Sequence, residues 1–169
     1  MVETVELRRR ILQAVGQFPG IHVRELARLL DRSQALVDYH VDILCSAKLL
    51  RDERQDRYRR LYAAEPAAAL SETERQMVGL LRERHTLHIA LVLLERGPLR
   101  HGELAQATGL SKSLLSFHMR KLVEAGMVEN RDGALTVIDR RQVLRLLGNY
   151  QPLPGLREEF DDLWDALYG

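Results

Sequence analysis

The sequence predicts a mainly α-helical protein with small β hairpins, built from two copies of one unit and ending in C-terminal helices. An internal repeat is the first observation behind this prediction, because residues 103–128 match residues 25–50 without a gap after a shift of 78 positions. The second is that each copy combines helical apolar spacing with an extended segment that turns back on itself. A repeat of this length is one supersecondary unit used twice. Identical pairs include Glu25 and Glu103, Leu26 and Leu104, Ala27 and Ala105, Ser33 and Ser111, Leu36 and Leu114, His40 and His118, Leu44 and Leu122, and Ala47 and Ala125.

The second copy reads as two helices joined by a tight turn. Residues 103–107 form a short helix that Thr108 and Gly109 end, since glycine tolerates the left-handed backbone past a helix. Ser111 stands at the N-cap of the next helix, where its hydroxyl accepts from a free backbone amide. Spacing of i, i+3, i+4 and i+7 then predicts one buried face, made of Leu115, His118, Met119 and Leu122. This is the helix-turn-helix layout, whose second helix, the recognition helix, offers its outer face to a DNA major groove.

Each copy is followed by a predicted β hairpin. After Met127, the run Asn-Arg-Asp-Gly at 130–133 is a strong turn signal and residues 134–138 are the return strand. After Leu49, the stretch RDERQDRYRRLYA predicts a second hairpin with its tip at Gln55 and Asp56. Tyr58, Leu61 and Tyr62 anchor its return strand. A helix-turn-helix with such a hairpin is a winged helix, and we name the hairpins wing 1 (residues 51–62) and wing 2 (residues 127–138).

Both copies resemble the winged helix-turn-helix domains of ArsR- and MarR-type regulators. Two phrases carry the resemblance, FPGIHVRELARLLDRSQALVDYHVDILCSAKLL and RGPLRHGELAQATGLSKSLLSFHMRKLVEAGMV. With its C-terminal helices, the pair is similar to the archaeal tandem winged-helix transcriptional regulators. The resemblance covers nearly the whole chain and implies a DNA-binding regulator, although the step from fold to function is by analogy.

The first unit is predicted to begin with an amphipathic helix over residues 2–17. Leu7, Ile11, Ala14 and Val15 face inward, and Arg8 to Arg10 face outward. Ser33 caps the first recognition helix, whose inner face is Val37, His40, Val41 and Leu44. Because His40 and His118 occupy equivalent inner positions, we expect a structural role in which each ring bonds to the neighbouring helix.

Four segments are predicted in chain order. A winged helix-turn-helix domain covers residues 1–63, a connecting helix 64–83, a second winged helix-turn-helix domain 84–138, and C-terminal helices 139–169. Glu65-Pro66 closes the first domain, and Ser71 with Glu74 forms a capping box that opens the connecting helix. The last helix either docks on its own chain or pairs with a second copy in a homodimer. Its apolar stripe is Leu156, Phe160, Leu163, Trp164 and Leu167.

Double-stranded DNA is the predicted partner, with the second recognition helix as its main reader. The candidate contacts there are Lys112, Ser113, Ser116, Phe117, Arg120 and Lys121, with Arg131 on wing 2. Gln34 and Tyr39 are candidates on the first recognition helix. However, Asp38 and Asp42 share that outer face, and aspartate repels phosphate more often than it reads cytosine. We therefore expect the first helix to be a weaker DNA contact, a dimer surface or a sensor.

Wing 1 adds a second group of candidates. Arg54, Arg57, Arg59 and Arg60, with Tyr58, suit a minor-groove or backbone contact. A solvated hairpin is the alternative. The overall net charge of +1 is spread unevenly: residues 97–128 carry four basic and two acidic residues, wing 1 carries five arginines and three acids, and residues 157–169 carry one arginine and five acids. The tail is therefore expected to repel phosphate, and wing 1 and the second recognition helix to attract it.

Composition and motifs argue against other classes of protein. No run approaches the length of a membrane span and no signal peptide opens the chain, so we expect a cytoplasmic protein without membrane association. A single cysteine, Cys45, excludes an internal disulfide framework. No phosphate-binding loop, nucleophile elbow or metal-ligand cluster occurs in the sequence, so we expect no enzyme activity, cofactor or metal. No residue pattern identifies a small-molecule effector.

Three functional hypotheses follow. The leading one is a sequence-specific DNA-binding transcriptional regulator, with the second recognition helix in the major groove and the wings on the backbone. The second is a tandem winged-helix protein-interaction module, which the near-neutral charge and the pair Asp38 and Asp42 favour. The third is a non-specific chromatin-associated DNA-binding protein. Salt-dependent DNA binding distinguishes the second from the others, and preference for one site separates the first from the third.

Overall fold

The computed structural model describes residues 2–64, 70–148 and 161–162. The chain forms two compact units, a first unit of residues 1–71 and a second unit of residues 72–169. Each unit contains a helix-turn-helix followed by an antiparallel hairpin, which confirms the predicted mainly α fold with small β wings. The predicted closure at Glu65-Pro66 and the apolar stripe of the last helix lie outside the described residues.

The first unit is built from three helices and a small sheet. Its helices are α1 (Val2–Gln17), α2 (Val23–Leu30) and α3 (Gln34–Ser46). Its strands are β1 (Ile21–His22), β2 (Leu50–Gln55) and β3 (Tyr58–Ala63). The predicted inner face of α1 is buried, as is the predicted inner face of α3, the first recognition helix. Helix α3 packs against α1, α2 and β2, which leaves its other face exposed.

The sheet of the first unit has a strand that sequence patterning did not predict. Its order is β1-β3-β2, and all pairs are antiparallel. Ile21 pairs with Leu61 and His22 with Arg60. Gln55 pairs with Tyr58, so the turn residues are Asp56 and Arg57, and the predicted tip was one residue too early. Asp56 takes the left-handed backbone of this turn, with φ of 53°, which aspartate adopts more readily than most residues.

The second unit repeats this plan. Its helices are α4 (Glu72–Leu81), α5 (Arg84–Arg96), α6 (His101–Thr108), α7 (Lys112–Glu124) and α8 (Arg140–Gly148). Wing 2 contains β4 (Val128–Arg131) and β5 (Ala134–Val137), joined by the predicted Asp132-Gly133 turn. Leu99, the position equivalent to Ile21, bridges to Leu135. Both units therefore add one short extended segment to the edge of the wing.

The two recognition helices, α3 and α7, begin and end as predicted. Ser33 Oγ accepts from the Leu36 amide at 3.3 Å, and Ser111 Oγ accepts from the Leu114 amide at 3.2 Å. The preceding helices, α2 and α6, each end on a left-handed residue, Asp31 in the first unit and Gly109 in the second. These equivalent caps fix where each recognition helix starts and therefore which residues face outward.

Helix α7 is held by the buried helix α5 and by α4, α6 and β4. Helix α5 buries nearly every apolar side chain along its length, including Ile89, Leu91 and Leu94. All four predicted inner residues of α7 are buried against this core. Arg140 of α8 donates to the carbonyl of Leu94, and Arg145 pairs with Glu74, so α8 is tied to α5 and α4.

Adjacent leucines on α7 provide a matched test of this packing. Leu115 is 0% exposed and Leu114 is 37% exposed. We expect Leu115→Ala to lower the free energy of unfolding by about 2–5 kcal/mol, because it leaves a cavity in the core of the second unit. The control, Leu114→Ala, is expected to cost less than about 1 kcal/mol. Urea denaturation followed by circular dichroism measures both, and equal losses would contradict the assigned inner face.

Candidate nucleic-acid interface

The outer face of α7 presents two unengaged basic side chains. Lys112 and Arg120 are exposed, and within residues 2–64, 70–148 and 161–162 neither side chain takes part in a hydrogen bond or an ion pair. Phe117 lies between them in sequence and is 54% exposed. A large exposed aromatic ring flanked by free cations is suited to nucleic acid, because it can contact a base while the cations meet phosphate or guanine.

Hydroxyl groups on the same face are oriented by local hydrogen bonds. Ser116 Oγ donates to the carbonyl of Lys112 at 2.9 Å and lies 3.0 Å from His101 Nε2. Ser113 Oγ lies 3.4 Å from the N-cap hydroxyl of Ser111. His101, the first residue of α6, thus joins this surface. Sequence spacing did not single it out, because it precedes Ser116 by 15 positions and only the fold brings the two together.

Lys121 and Arg131 differ from the other candidates of the second unit. Lys121 Nζ is 3.1 Å from Glu83 Oε2 and 4.9 Å from the centre of the Phe117 ring, so it is partly buried beside α5. Arg131 is exposed at the end of β4 and pairs with Glu129 of the same strand. Lys121 therefore positions Phe117 and the start of α5. The positive charge of Arg131 is compensated by Glu129 within β4.

The outer face of α3 is acidic, and an arginine from wing 1 compensates it. Arg59 reaches three carboxylates, with guanidinium to oxygen distances of 3.4 Å to Asp38, 2.8 Å to Asp42 and 2.8 Å to Asp52. Burial acts to lower the pKa of Arg59, but hydrogen bonds to Asp52 and Asp42 outweigh it and raise the pKa. We call these four residues the Arg59 cluster. It ties wing 1 to α3 and retains two excess negative charges.

Other candidates of the first unit are distributed over two surfaces. Gln34 and Tyr39 are exposed on α3, and Tyr39 is 60% exposed. Arg54 is exposed on β2, and Arg57 at the turn of wing 1 donates to the Tyr58 hydroxyl at 3.3 Å. The prediction that Arg60 faces DNA is wrong, because its side chain is 1% exposed and donates to the carbonyl of Gly20 at 3.0 Å. Arg60 is a structural residue that joins β3 to the turn between α1 and β1.

His22 connects wing 1 to the helix-turn-helix. Its Nδ1 accepts from the Glu25 amide at 3.3 Å, so the ring caps α2, and it stacks on Tyr58 with centroids 4.7 Å apart. Burial, with repulsion from Arg60, Arg28 and Arg24, lowers the pKa of His22 to about 4. The ring is therefore neutral near pH 7, as an accepting cap requires.

The equivalent histidines of the recognition helices differ in their partners. His40 Nδ1 accepts from Arg8 Nε at 3.3 Å, which confirms the predicted bond to the neighbouring helix. His118 instead packs against the ring of His85, with centroids 5.0 Å apart, and its Nδ1 has no hydrogen-bond partner among the described residues. Burial lowers the pKa of both histidines, so both rings pack in their neutral form.

Neither a metal site nor a membrane span is found where the structure is described. Across residues 2–64, 70–148 and 161–162, no group of three or more His, Cys, Asp or Glu side chains could hold a metal ion. In the same residues, no helix combines the length and the apolar character needed to cross a bilayer.

Comparisons with known proteins match each half of the chain to a helix-turn-helix family. Residues 89–130 match the family described as bacterial regulatory protein, arsR family. Residues 5–78 match a family described as an N-terminal HTH domain. No match is found among curated proteins. Among solved structures, ScpB from Mycobacterium tuberculosis is similar over 85% of this chain and 96% of its own, with 18% identity and a TM-score of 0.31. The two family matches place a helix-turn-helix domain in each half.

The Arg59 cluster should contribute to the stability of the first unit. We expect Arg59→Ala to lower the free energy of unfolding by roughly 1–2 kcal/mol, because three carboxylates lose their shared cation. Arg54→Ala is the control, because Arg54 is exposed on the same wing and its side chain has no hydrogen bond or ion pair with the described residues; it should change the free energy of unfolding by less than about 0.5 kcal/mol. Urea denaturation at low and high salt measures both, and the Arg59→Ala loss should shrink at high salt. Equal losses for the two variants would contradict the assignment.

The His22 cap predicts a pH dependence of stability. Its folded pKa of about 4 lies below the ordinary value of 6.5, so the neutral ring stabilises the first unit fully above pH 6.5 and this contribution is lost as pH falls towards 4. Compared with His22→Asn, which keeps a capping acceptor that does not titrate, the wild type should lose on the order of 1–2 kcal/mol over this range. Thermal denaturation between pH 7 and 4 measures the difference. A difference that stays constant with pH would show that His22 does not titrate as assigned.

Proposed function

We propose that this tandem winged helix-turn-helix protein is a sequence-specific DNA-binding transcriptional regulator, and that α7 enters a major groove to read the sequence. The single observation that carries the proposal is the outer face of α7, where Lys112 and Arg120 are exposed on either side of Phe117 and make no side-chain hydrogen bond or ion pair with the described residues. Helix-turn-helix domains in both halves support DNA as the partner. Regulators of this kind are typically not enzymes, and we expect no catalytic activity.

Each side chain on α7 suits a particular role. Arg120 can donate two parallel hydrogen bonds to O6 and N7 of guanine, which is the commonest specific contact in the major groove. Lys112, in the first turn, suits a backbone phosphate or a second guanine. Ser113 and Ser116 offer hydroxyls to base edges or phosphate, and the exposed ring of Phe117 suits a thymine methyl group. Wing 2 reaches the backbone through Arg131.

The first unit is proposed to bind DNA without reading bases through α3. Asp42 occupies the position that Arg120 has in the second unit, and Asp38 occupies that of Ser116. Arg59 compensates only part of their charge, so this face would meet a phosphate-lined groove with excess negative charge. Gln34, Tyr39, Arg54 and Arg57 remain proposed peripheral contacts on this unit, and Arg59 acts by holding wing 1 against α3.

The proposed function also predicts the spacing of the half-sites on the target DNA. If two copies of the chain associate, a two-fold axis places their α7 helices on half-sites about one DNA turn apart, or a multiple of that spacing. The size of a footprint on the bound DNA distinguishes a monomer, with one half-site, from a homodimer, with two.

Substitution of Arg120 tests the proposal. Genomic fragments are first selected on the wild-type protein, and the best fragment and a scrambled version are then titrated with each variant. We expect Arg120→Ala to weaken binding of the selected fragment by about 1–3 kcal/mol and to narrow the preference over the scrambled one. The control, Arg96→Ala, removes an exposed arginine at the end of α5 and should lower the affinity for both fragments slightly and equally.

Three outcomes separate the proposed function from its alternatives. A wild-type preference of at least about 10³-fold for the selected fragment, reduced by Arg120→Ala, supports a sequence-specific regulator. Equal affinity for both fragments contradicts sequence reading and favours a non-specific chromatin protein. Absence of salt-dependent binding to any DNA contradicts both and favours a protein-interaction module.

A further inference from the structure

Three arginines line one cleft beside the turn of the first helix-turn-helix. Arg24 and Arg28 are one helical turn apart on α2, and Arg32 follows in the turn before α3. All three are exposed, and they open onto a surface cleft of about 460 Å³. The lining residues are Arg24, Ala27, Arg28, Asp31, Arg32, Ser33 and Gln34. The cleft contains no residue of the Arg59 cluster, and it meets the outer face of α3 at Gln34.

We propose that this cleft is a phosphate-binding site, which we call the arginine cleft. Its ligand is a phosphate group, either a phosphodiester of the DNA backbone or the phosphate of a small phosphorylated molecule. In the DNA case the inference rests on the proposed function and deepens it, since it says how a unit with an acidic recognition helix contacts the duplex.

Local hydrogen bonds orient two of the three arginines and leave most of their N–H donors available to a ligand. Arg28 Nη1 donates to Glu25 Oε1 at 2.8 Å, and Arg32 Nη1 donates to the carbonyl of Asp31 at 2.9 Å. Arg24 makes no side-chain hydrogen bond or ion pair with any residue that the structure describes. Because a guanidinium has five N–H donors, most donors at the cleft are available to a ligand. Their forked geometry matches the oxygens of a phosphate group.

Charge at the cleft favours an anion. Its lining contains three arginines and one carboxylate, that of Asp31, and Glu25 pairs with Arg28 from outside the lining, so the group keeps a net charge of +1. Asp31 ends α2 in the left-handed conformation, and its backbone amide donates to the carbonyls of Ala27 and Arg28. Arg28 and Arg32 each make one local contact, whereas the side chain of Arg24 makes none with the described residues.

The second copy of the internal repeat forms the same helix-turn-helix without these arginines. Their equivalents in the second unit are Gly102, Gln106 and Leu110, none of which is charged. The residues between them that build the helix-turn-helix are kept, including Leu26 with Leu104 and Ala27 with Ala105. Basic charge thus occurs on α2 and its turn in the first unit, and on the outer face of α7 in the second. A unit that lacks a basic recognition face has a basic cleft instead.

A charge-matched pair of triple variants tests the arginine cleft in the full chain. The cleft variant is Arg24→Gln, Arg28→Gln and Arg32→Gln. The control, Arg9→Gln, Arg96→Gln and Arg141→Gln, removes the same charge from exposed positions elsewhere. Circular dichroism and thermal denaturation establish that both fold. DNA affinity is measured for the selected and scrambled fragments across a series of salt concentrations, and binding of inorganic phosphate is measured calorimetrically without DNA.

If the ligand is the DNA backbone, the slope of log affinity against log salt becomes shallower by roughly 2 to 3 in the cleft variant, on both fragments, and stays unchanged in the control. If the ligand is a free phosphorylated molecule, the salt slope stays unchanged, and the wild type and control bind inorganic phosphate saturably while the cleft variant does not. An unchanged slope together with no difference in phosphate binding overturns the proposal.

These results are independent of the test of the proposed function. Loss of sequence preference concerns Arg120 and the selected fragment, whereas the arginine cleft is tested by the difference between two triple variants. If the wild-type protein binds both fragments equally but the cleft variant shows the change in salt slope, the arginine cleft is supported and the sequence-specific regulator is contradicted. If the wild-type protein prefers the selected fragment, both triple variants have identical salt slopes and no phosphate binds, the regulator is supported and the arginine cleft is contradicted.

Discussion

Burial of one four-residue stripe on each recognition helix is the constraint on which the rest of the structure depends. Val37, His40, Val41 and Leu44 on α3, and Leu115, His118, Met119 and Leu122 on α7, are buried against the helices and strands around them. Burying these side chains contributes more free energy to the stability of each unit than any single surface ion pair does. Because an α-helix has a fixed period, burying this stripe also fixes the opposite face outward. The packing of the core therefore determines which residues are available to a partner.

The two units share this helix packing but differ in the charges on the outer faces of their recognition helices. On the outer faces, Gln34, Asp38 and Asp42 of the first unit stand where Lys112, Ser116 and Arg120 stand in the second. The acidic face holds Arg59 of its own wing, while Lys112 and Arg120 on the basic face have no side-chain partner in the part of the chain that the structure describes. The arginine cleft adds basic charge to the first unit beside the start of α3. In the proposed function, the second unit reads sequence through α7, and the first unit holds phosphate in the arginine cleft.

Local signals predicted most of the fold and part of the candidate site. Serine caps, glycine helix ends and the Asn-Arg-Asp-Gly turn act over a few residues, so the sequence alone placed α7 and wing 2 correctly. Long-range contacts were not predictable in the same way. Arg59 meets Asp38 and Asp42 across 21 and 17 positions, and Arg60 turns inward to a carbonyl 40 positions away. Five arginines in one hairpin look alike in sequence, and only strand register decides which of them faces the core or α3.

The most direct test of the central account compares Phe117 with Tyr39, which occupy equivalent positions and are both more than half exposed. A photo-reactive phenylalanine analogue is placed at one position or the other, and each protein is irradiated on the selected DNA fragment. If α7 reads the sequence, position 117 gives a cross-link to a base and position 39 gives none above background. A base cross-link from position 39 that equals or exceeds the one from position 117 would contradict the assignment of α7 as the reader.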